Sequence, residues 1–123
     1  MHHILIIDDE SSIRKLIHIM LEQNGYKVDE AADGAAGIKK IKIDPPDLII
    51  TDLIMPGKEG IETIMELRRD YPDLKIIAMS GGGVIGPQKY LKIAKSVGAH
   101  RTFKKPFKMG ELLEAVEALL KQP

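Results

Sequence analysis

The sequence predicts an α/β sandwich: one five-stranded parallel sheet, doubly wound, with helices on both faces, for which 2-1-3-4-5 is chosen from among the known windings of such sheets. Three observations predict it. Apolar runs of strand length recur at 4–7 (ILII), 47–50 (DLII) and 74–79 (LKIIAM). Each is followed by a turn and then by a stretch of helical spacing, which is a βα repeat. These three runs are continuously apolar, as strands covered on both faces are, whereas 26–31 (YKVDEA) and 100–104 (HRTFK) are mixed, as partly covered edge strands are.

Taken in order, strand 1 spans 4–7, with His2 and His3 at its beginning. The first helix carries the stripe Ile13, Leu16, Ile17, Met20 and Leu21 and stops before Gly25. Strand 2 follows, then a helix over 34–43 and strand 3. Ile61, Ile64 and Met65 give the third helix its apolar face. After strand 4, Pro87 opens a helix over 87–97 and Gly98 ends it. Strand 5 leads to a last helix with Met109, Leu112, Leu113, Val116, Leu119 and Leu120 on one face. The basic runs at 39–42 and at 68 and 69 read as solvated helix faces, and His18 and His100 as boundary residues with no partner at ligand spacing.

At 123 residues the chain has the size of one domain, 1–123, with no output domain expected. Eighteen basic residues balance eighteen acidic ones, so the field that draws nucleic acid or an anionic membrane is missing. With no cysteine there is no disulfide framework and no thiolate metal site. The start, MHHILIIDDE, lacks the charged head and apolar length of a secretion signal, and no apolar run approaches the roughly 18 residues of a membrane span. A cytoplasmic protein is expected.

In an open parallel sheet, ligands sit beyond the carboxyl ends of the strands, where the winding reverses. Strand 1 delivers Asp8 and Asp9 there, strand 3 Asp52, strand 4 Ser80, and strand 5 Lys105 just before Pro106. Singly, each has an ordinary explanation: Asp9 as a helix cap, Asp52 as a turn residue, Ser80 opening a glycine-rich loop, Lys105 in solvent. Together they do not, because three ionised carboxylates side by side raise one another's pKa and destabilise the fold. The cluster calls for a cation. Mg²⁺ suits an all-oxygen site of one or two carboxylates, waters and a phosphate. Asp9 and Asp52 are the direct ligands in this reading, a backbone carbonyl just past Asp52 adds a third oxygen, and Asp8 orients a bound water. Lys105 then shares the charge of a phosphorus centre held against Asp52, the nucleophile.

At these residues the chain resembles the receiver domain of two-component response regulators, of the stand-alone chemotaxis-receiver type, along essentially its whole length. The pieces that carry the resemblance are LIIDDE (5–10), DLIITDLIMPGKEG (47–60), IIAMSG (76–81) and GAHRTFKKPF (98–107). The resemblance implies the flavodoxin-like fold. It implies that Asp52 is the phosphoacceptor, supplied by a sensor histidine kinase or phosphotransfer protein, and that phosphorylation switches binding to a downstream protein. It implies Asp8, Asp9, Asp52 and the carbonyl of Ile54 around Mg²⁺, and Ser80 as the hydroxyl that turns toward the phosphoryl oxygens. It also implies Lys105 as the motif lysine with a cis bond to Pro106, and Met55, Pro56 and Gly60 in the turn after the phosphoacceptor. One place departs. Where such receivers commonly carry an aromatic residue, three before the lysine, this chain has Thr102, and strand alternation puts Phe103 on the other face. The relay to the surface of helix 4, strand 5 and helix 5 then falls to the SGGG loop at 80–83.

Three other readings fare worse. GGGVIG (81–86) spells a dinucleotide fingerprint, but after the fourth strand, directly before Pro87, and with no acid about 20 positions on. A haloacid-dehalogenase-type phosphatase also uses Asp and Mg²⁺, yet DDESS lacks its D-x-D-x-T pattern. A flavodoxin-like nucleotide or flavin binder rests on the same glycine loop alone.

Overall fold

The computed structural model describes residues 1–53, 60–81 and 87–121. Among them, β1 (His3–Ile7), β2 (Lys27–Ala31), β3 (Leu48–Asp52), β4 (Lys75–Ser80) and β5 (Arg101–Lys104) form one sheet of order β2-β1-β3-β4-β5. All neighbouring pairs are parallel. The connections are α1 (Ser11–Gln23), α2 (Gly34–Ile43), α3 (Gly60–Asp70) and α4 (Pro87–Val97), and α5 (Met109–Leu120) follows β5. The edge strands are β2 and β5, as their mixed composition predicts. The residues at 54–59 and 82–86 lie outside this description, and with them Ile54, Met55, Pro56, Gly82 and Gly83 of the expected turn and loop.

Strand alternation sorts the apolar residues into two cores. Leu5, Ile7 and Ile49 join Ile38 and Ile41 of α2, Ile64 and Leu67 of α3 and Ala94 of α4. Ile4, Ile6, Leu48 and Ile50 join Ile17 and Leu21 of α1 and Leu112, Val116 and Leu119 of α5. Each fully buried Ile or Leu contributes about 1.5–3 kcal/mol, so the doubly covered β1, β3 and β4 form the rigid frame from which the loops project.

Two strands run further than their apolar letters. β3 continues through Thr51 and Asp52, paired with Ala78 and Met79, and β4 through Ser80. Hydropathy marks only side chains, whereas the hydrogen-bond ladder continues beneath polar ones. Asp52 and Ser80 are therefore held by the sheet itself. Leu16 and Met65 differ from expectation: they are 56% and 54% exposed. Each stands at the margin of its stripe, about 100° around the helix axis from Ile17 and Ile64, and a helix lying on one sheet face buries a narrower arc than its apolar letters cover.

Nor is Arg68 solvated. Its guanidinium donates to the carbonyls of Pro72 (2.6 Å) and Gly98 (2.9 Å), while Arg69 is exposed and pairs with Asp70. Arg68 Nη2 also lies 3.5 Å from His100 Nδ1, which accepts the N–H of Ile76 at 3.1 Å. The native junction of β4 and β5 thus uses a neutral imidazole. Burial first, then the charges of Arg68 and Lys75, push His100 below its ordinary value of 6.5. A group depressed on folding contributes stability that is present above its unfolded pKa and lost as pH falls through the folded value. The thermal midpoint should therefore drop as pH falls from about 7 to about 5, and His100→Gln should flatten that slope.

Candidate functional site

Alternation fixes which side chains meet at the carboxyl edge. Asp52 follows Leu48 and Ile50 toward the α1/α5 side, and Asp8, two residues after Ile6, continues the same phase. Lys105 stands in phase with Phe103, which is buried in that core. Ser80 is in phase with Ala78, on the opposite side. The backbone of Asp8 remains tied to the sheet, its N–H donating to Ala31 O at 3.1 Å.

The side chains converge as the sequence predicts. Carboxylate oxygens of Asp8, Asp9 and Asp52 all lie within 4.8 Å of one another. Lys105 Nζ stands 2.9 Å from Asp8 Oδ2 and 3.3 Å from Asp52 Oδ2. Burial would lower the pKa of this ammonium, but the hydrogen bond to Asp8 and the charge of Asp52 outweigh it and raise the pKa. Asp8 is fully buried and Asp52 nearly so, at 0% and 5% exposure, whereas Asp9 faces solvent. The site opens into a pocket of about 480 Å³ lined by Asp9, Glu10, Asp52 and Lys105 on its polar side and by Ile13, Phe107 and Met109 on its apolar side.

Asp9 does not cap α1. The N-cap position is Glu10, without a side-chain cap bond, and the carboxylate of Asp9 makes no hydrogen bond among the described residues. The donor set fits a hard dication: three carboxylates, oxygen ligands only, answered among the described residues by the ammonium of Lys105 and open to water on one side. The carbonyl of Ile54, expected as a further ligand, lies outside the described residues. The bond from Lys105 to Pro106 is cis, as expected.

Ser80 is fully buried and its Oγ has no hydrogen-bond partner among the described residues. Leaving such a hydroxyl unpaired costs about 1–3 kcal/mol, so it is primed for an acceptor. Thr102 is half-buried and lines a hollow with Leu91, Lys92, Lys95 and Ser96. Phe103 packs on the opposite face against Phe107, ring centroids 5.6 Å apart.

Three contacts at the site are absent from what the sequence alone suggests. Glu10, third in DDE, approaches Lys105 Nζ to 3.5 Å. Gly81 sits against Lys105 so closely that a Cβ there would stand 2.5 Å from Lys105 Cβ. Arg14 donates from Nη1 to the carbonyl of Asp8 at 2.7 Å. Only the spacing of Arg14, one and a half helical turns after the acidic pair, gave a signal, and nothing at that distance distinguishes it from a solvated arginine.

No helix of the described residues is long and apolar enough to cross a membrane. Comparison with known proteins agrees with this architecture. The family description "Response regulator receiver domain" matches residues 4–117. The chain is 35% identical over 120 residues to the chemotaxis protein CheY of Bacillus subtilis, covering 97% of this chain and 98% of that protein. It is 31% identical over 117 residues to sporulation initiation phosphotransferase F of the same organism, covering 95% of this chain and 92% of that protein. Against response regulator MprA of Mycobacterium ulcerans it is 32% identical over 119 residues and 97% of its own length, but spans only 50% of that relative. The crystal structure of the receiver domain of NtrX from Brucella abortus superposes with a TM-score of 0.90 at 28% identity, over 98% of this chain and 99% of that one. TrrA from Thermotoga maritima, in complex with Mg²⁺-BeF, gives 0.85 at 34% identity, over 97% and 99%. With a clustered acidic triad, a bridging lysine and a matching family description along nearly its whole length, this chain belongs to the response regulator receiver domain family.

Proposed function

We propose that the chain is a phosphorylation switch of two-component signalling and that Asp52 is its phosphoacceptor. The observation that carries this reading is the placement of Asp52: a strand-held carboxylate on a solvent-open pocket, with Asp8 and Asp9 within 4.8 Å and an ammonium at 3.3 Å. A carboxylate oxygen of Asp52 attacks the phosphorus of a phosphohistidine on a sensor kinase or phosphotransfer protein. The O–P bond forms as the N–P bond breaks, and the departing imidazole keeps the bonding pair and takes a proton. Later, water attacks the acyl phosphate, which returns the carboxylate and releases inorganic phosphate.

Asp9 and Asp52 would hold Mg²⁺ in this reading, with Asp8 in support, and the similar TrrA is seen in complex with Mg²⁺-BeF. Bound there, Mg²⁺ neutralises part of the charge that builds on the phosphoryl oxygens. Lys105 neutralises the rest, since its Nζ already lies against Asp52. Ser80, whose Oγ has no hydrogen-bond partner among the described residues, turns to donate to a phosphoryl oxygen, and the SGGG loop at 80–83, with Thr102 in the place of the usual aromatic, carries the change to the surface of α4, β5 and α5. In this reading the chain works in the cytoplasm and signals by binding another protein. It promotes its own phosphorylation and dephosphorylation without turning over a metabolite.

Incubation with a small acyl-phosphate donor and Mg²⁺ tests this, read by intact mass and peptide mapping. One phosphoryl group on the peptide containing Asp52 is the expected result; no gain in mass, or a gain on another peptide, overturns the reading. Gly81→Ala should slow that uptake by about a hundred-fold, the cost of misplacing a catalytic group by about 1 Å, because the new methyl group displaces Lys105 at its Cβ. Circular dichroism should find the variant folded, since Gly81 is exposed.

A further inference from the structure

On the back of the acidic pocket, four polar side chains form a chain that none of the reactions above uses. Arg14 of α1 donates from Nη1 to the carbonyl of Asp8 at 2.7 Å and from Nε to Glu30 Oε1 of β2 at 2.8 Å. The other oxygen of Glu30 lies 2.6 Å from His18 Nδ1, and His18 Nε2 lies 3.3 Å from Glu22. The side chains of Arg14, His18 and Glu30 are 16%, 25% and 22% exposed, so this pairing is partly shielded from water. Burial acts to raise the pKa of Glu30, but the bonds from Arg14 and His18 win and lower it, which favours the ionised carboxylate.

The chain ends on Asp8, which is held at every polar atom. Its N–H donates to Ala31 O, its Oδ1 accepts the Glu10 N–H at 2.9 Å, and its Oδ2 accepts from Lys105. Its carbonyl is the point at which the chain leaves β1 and turns toward Asp9. Without Arg14 that carbonyl loses the bond that fixes the peptide plane between Asp8 and Asp9.

We propose that Arg14, braced by Glu30 and His18, is a positioning residue that sets the peptide between Asp8 and Asp9 and thereby the affinity of the acidic pocket for a divalent cation. The inference rests on the reading of the pocket as an Mg²⁺ site. Charge and position pull in opposite directions here: losing the guanidinium alone makes the pocket more negative, which favours Mg²⁺, while losing the bond misplaces Asp9, which disfavours it. Removing Arg14 and Glu30 together leaves the local charge unchanged and isolates position.

The test is a titration of the full chain with MgCl₂, followed by the amide resonances of Asp9 and Glu10. In the pair Arg14→Gln with Glu30→Gln, the side chain at 14 is too short to reach the carbonyl. Its Kd for Mg²⁺ should rise about ten-fold, the usual cost of removing a group that orients a metal ligand. The metal-free Glu10 amide resonance should also move, because its bond to Asp8 Oδ1 loosens. Arg14→Lys, which keeps the charge and one donor, should recover part of the affinity and guards against a double variant that does not fold. Variants that bind Mg²⁺ as tightly as the parent, with the Glu10 resonance in place, overturn the inference even if their melting temperature falls. A parent chain with no response to MgCl₂ overturns the Mg²⁺ reading and this inference with it.

Discussion

Asp52→Asn is expected to lose phosphoryl uptake entirely while keeping its fold at full stability. The amide is isosteric with the carboxylate, so the packing at the end of β3 is retained, but its oxygen is a poor nucleophile and forms no acyl phosphate. Asp52 loses its attraction to Lys105 at 3.3 Å, but its repulsions with Asp8 and Asp9 vanish with it, and this relief of the acidic cluster works in the variant's favour in metal-free buffer. Lys105 keeps its shorter bond to Asp8, 2.9 Å. Urea unfolding and intact-mass readings on the same sample check both halves. Uptake that survives in the variant would move the phosphoacceptor elsewhere.

Lys105→Met carries the opposite sign for stability. Its ammonium is the cation that lies between two carboxylates buried to 0% and 5% exposure, and its own side chain is only 12% exposed. Removing one partner of a buried ion pair costs about 3–5 kcal/mol, and the open pocket puts this site near about 3 kcal/mol. The loss should appear in full in the presence of a chelator. Mg²⁺ should restore more stability to this variant than to the parent, because the cation takes over the compensation that the lysine gave, and a ligand that binds only the folded state stabilises by mass action. Combining Lys105→Met with Asp52→Asn should cost less than Lys105→Met alone. Equal losses with and without Asp52 would mean that the lysine acts through its packing against Gly81 instead.

These two expectations rest on a site much of which the linear order already contained. The continuous apolar runs ILII and DLII mark β1 and β3 as covered on both faces, and strands so covered lie side by side in the middle of the sheet. From that adjacency alone, Asp8, Asp9 and Asp52 must meet. Period-two alternation carries Lys105 to the same side as Asp52 and sends Phe103 into the core. Even the stopping points follow, with Gly25 and Gly98 at φ +89° and +132° where α1 and α4 end.

Where the reading fell short, the missing quantity was a distance across elements. Leu16 and Met65 carry core letters but stand at the margin of a helix face whose width depends on how the helix lies on the sheet. Arg68 carries a surface letter and spends its donors on the carbonyls of Pro72 and Gly98. His18, read as a surface or boundary residue with no partner at ligand spacing, is held between Glu30 and Glu22.

What the sequence determined by itself was the winding, the two cores and the identity of the acids and the lysine on the functional rim. The cores and the rim follow from periodicity, which is written along one strand or helix at a time, and the winding is one of the few known for an open sheet of this kind. Tertiary structure alone decided that Lys105 bridges Asp8 and Asp52, that Gly81 must lack a Cβ beside it, and that Arg14 reaches past Glu30 to the carbonyl of Asp8. Each of these is a contact between residues on different elements. Its length is set by how those elements pack, and local spacing holds no record of that.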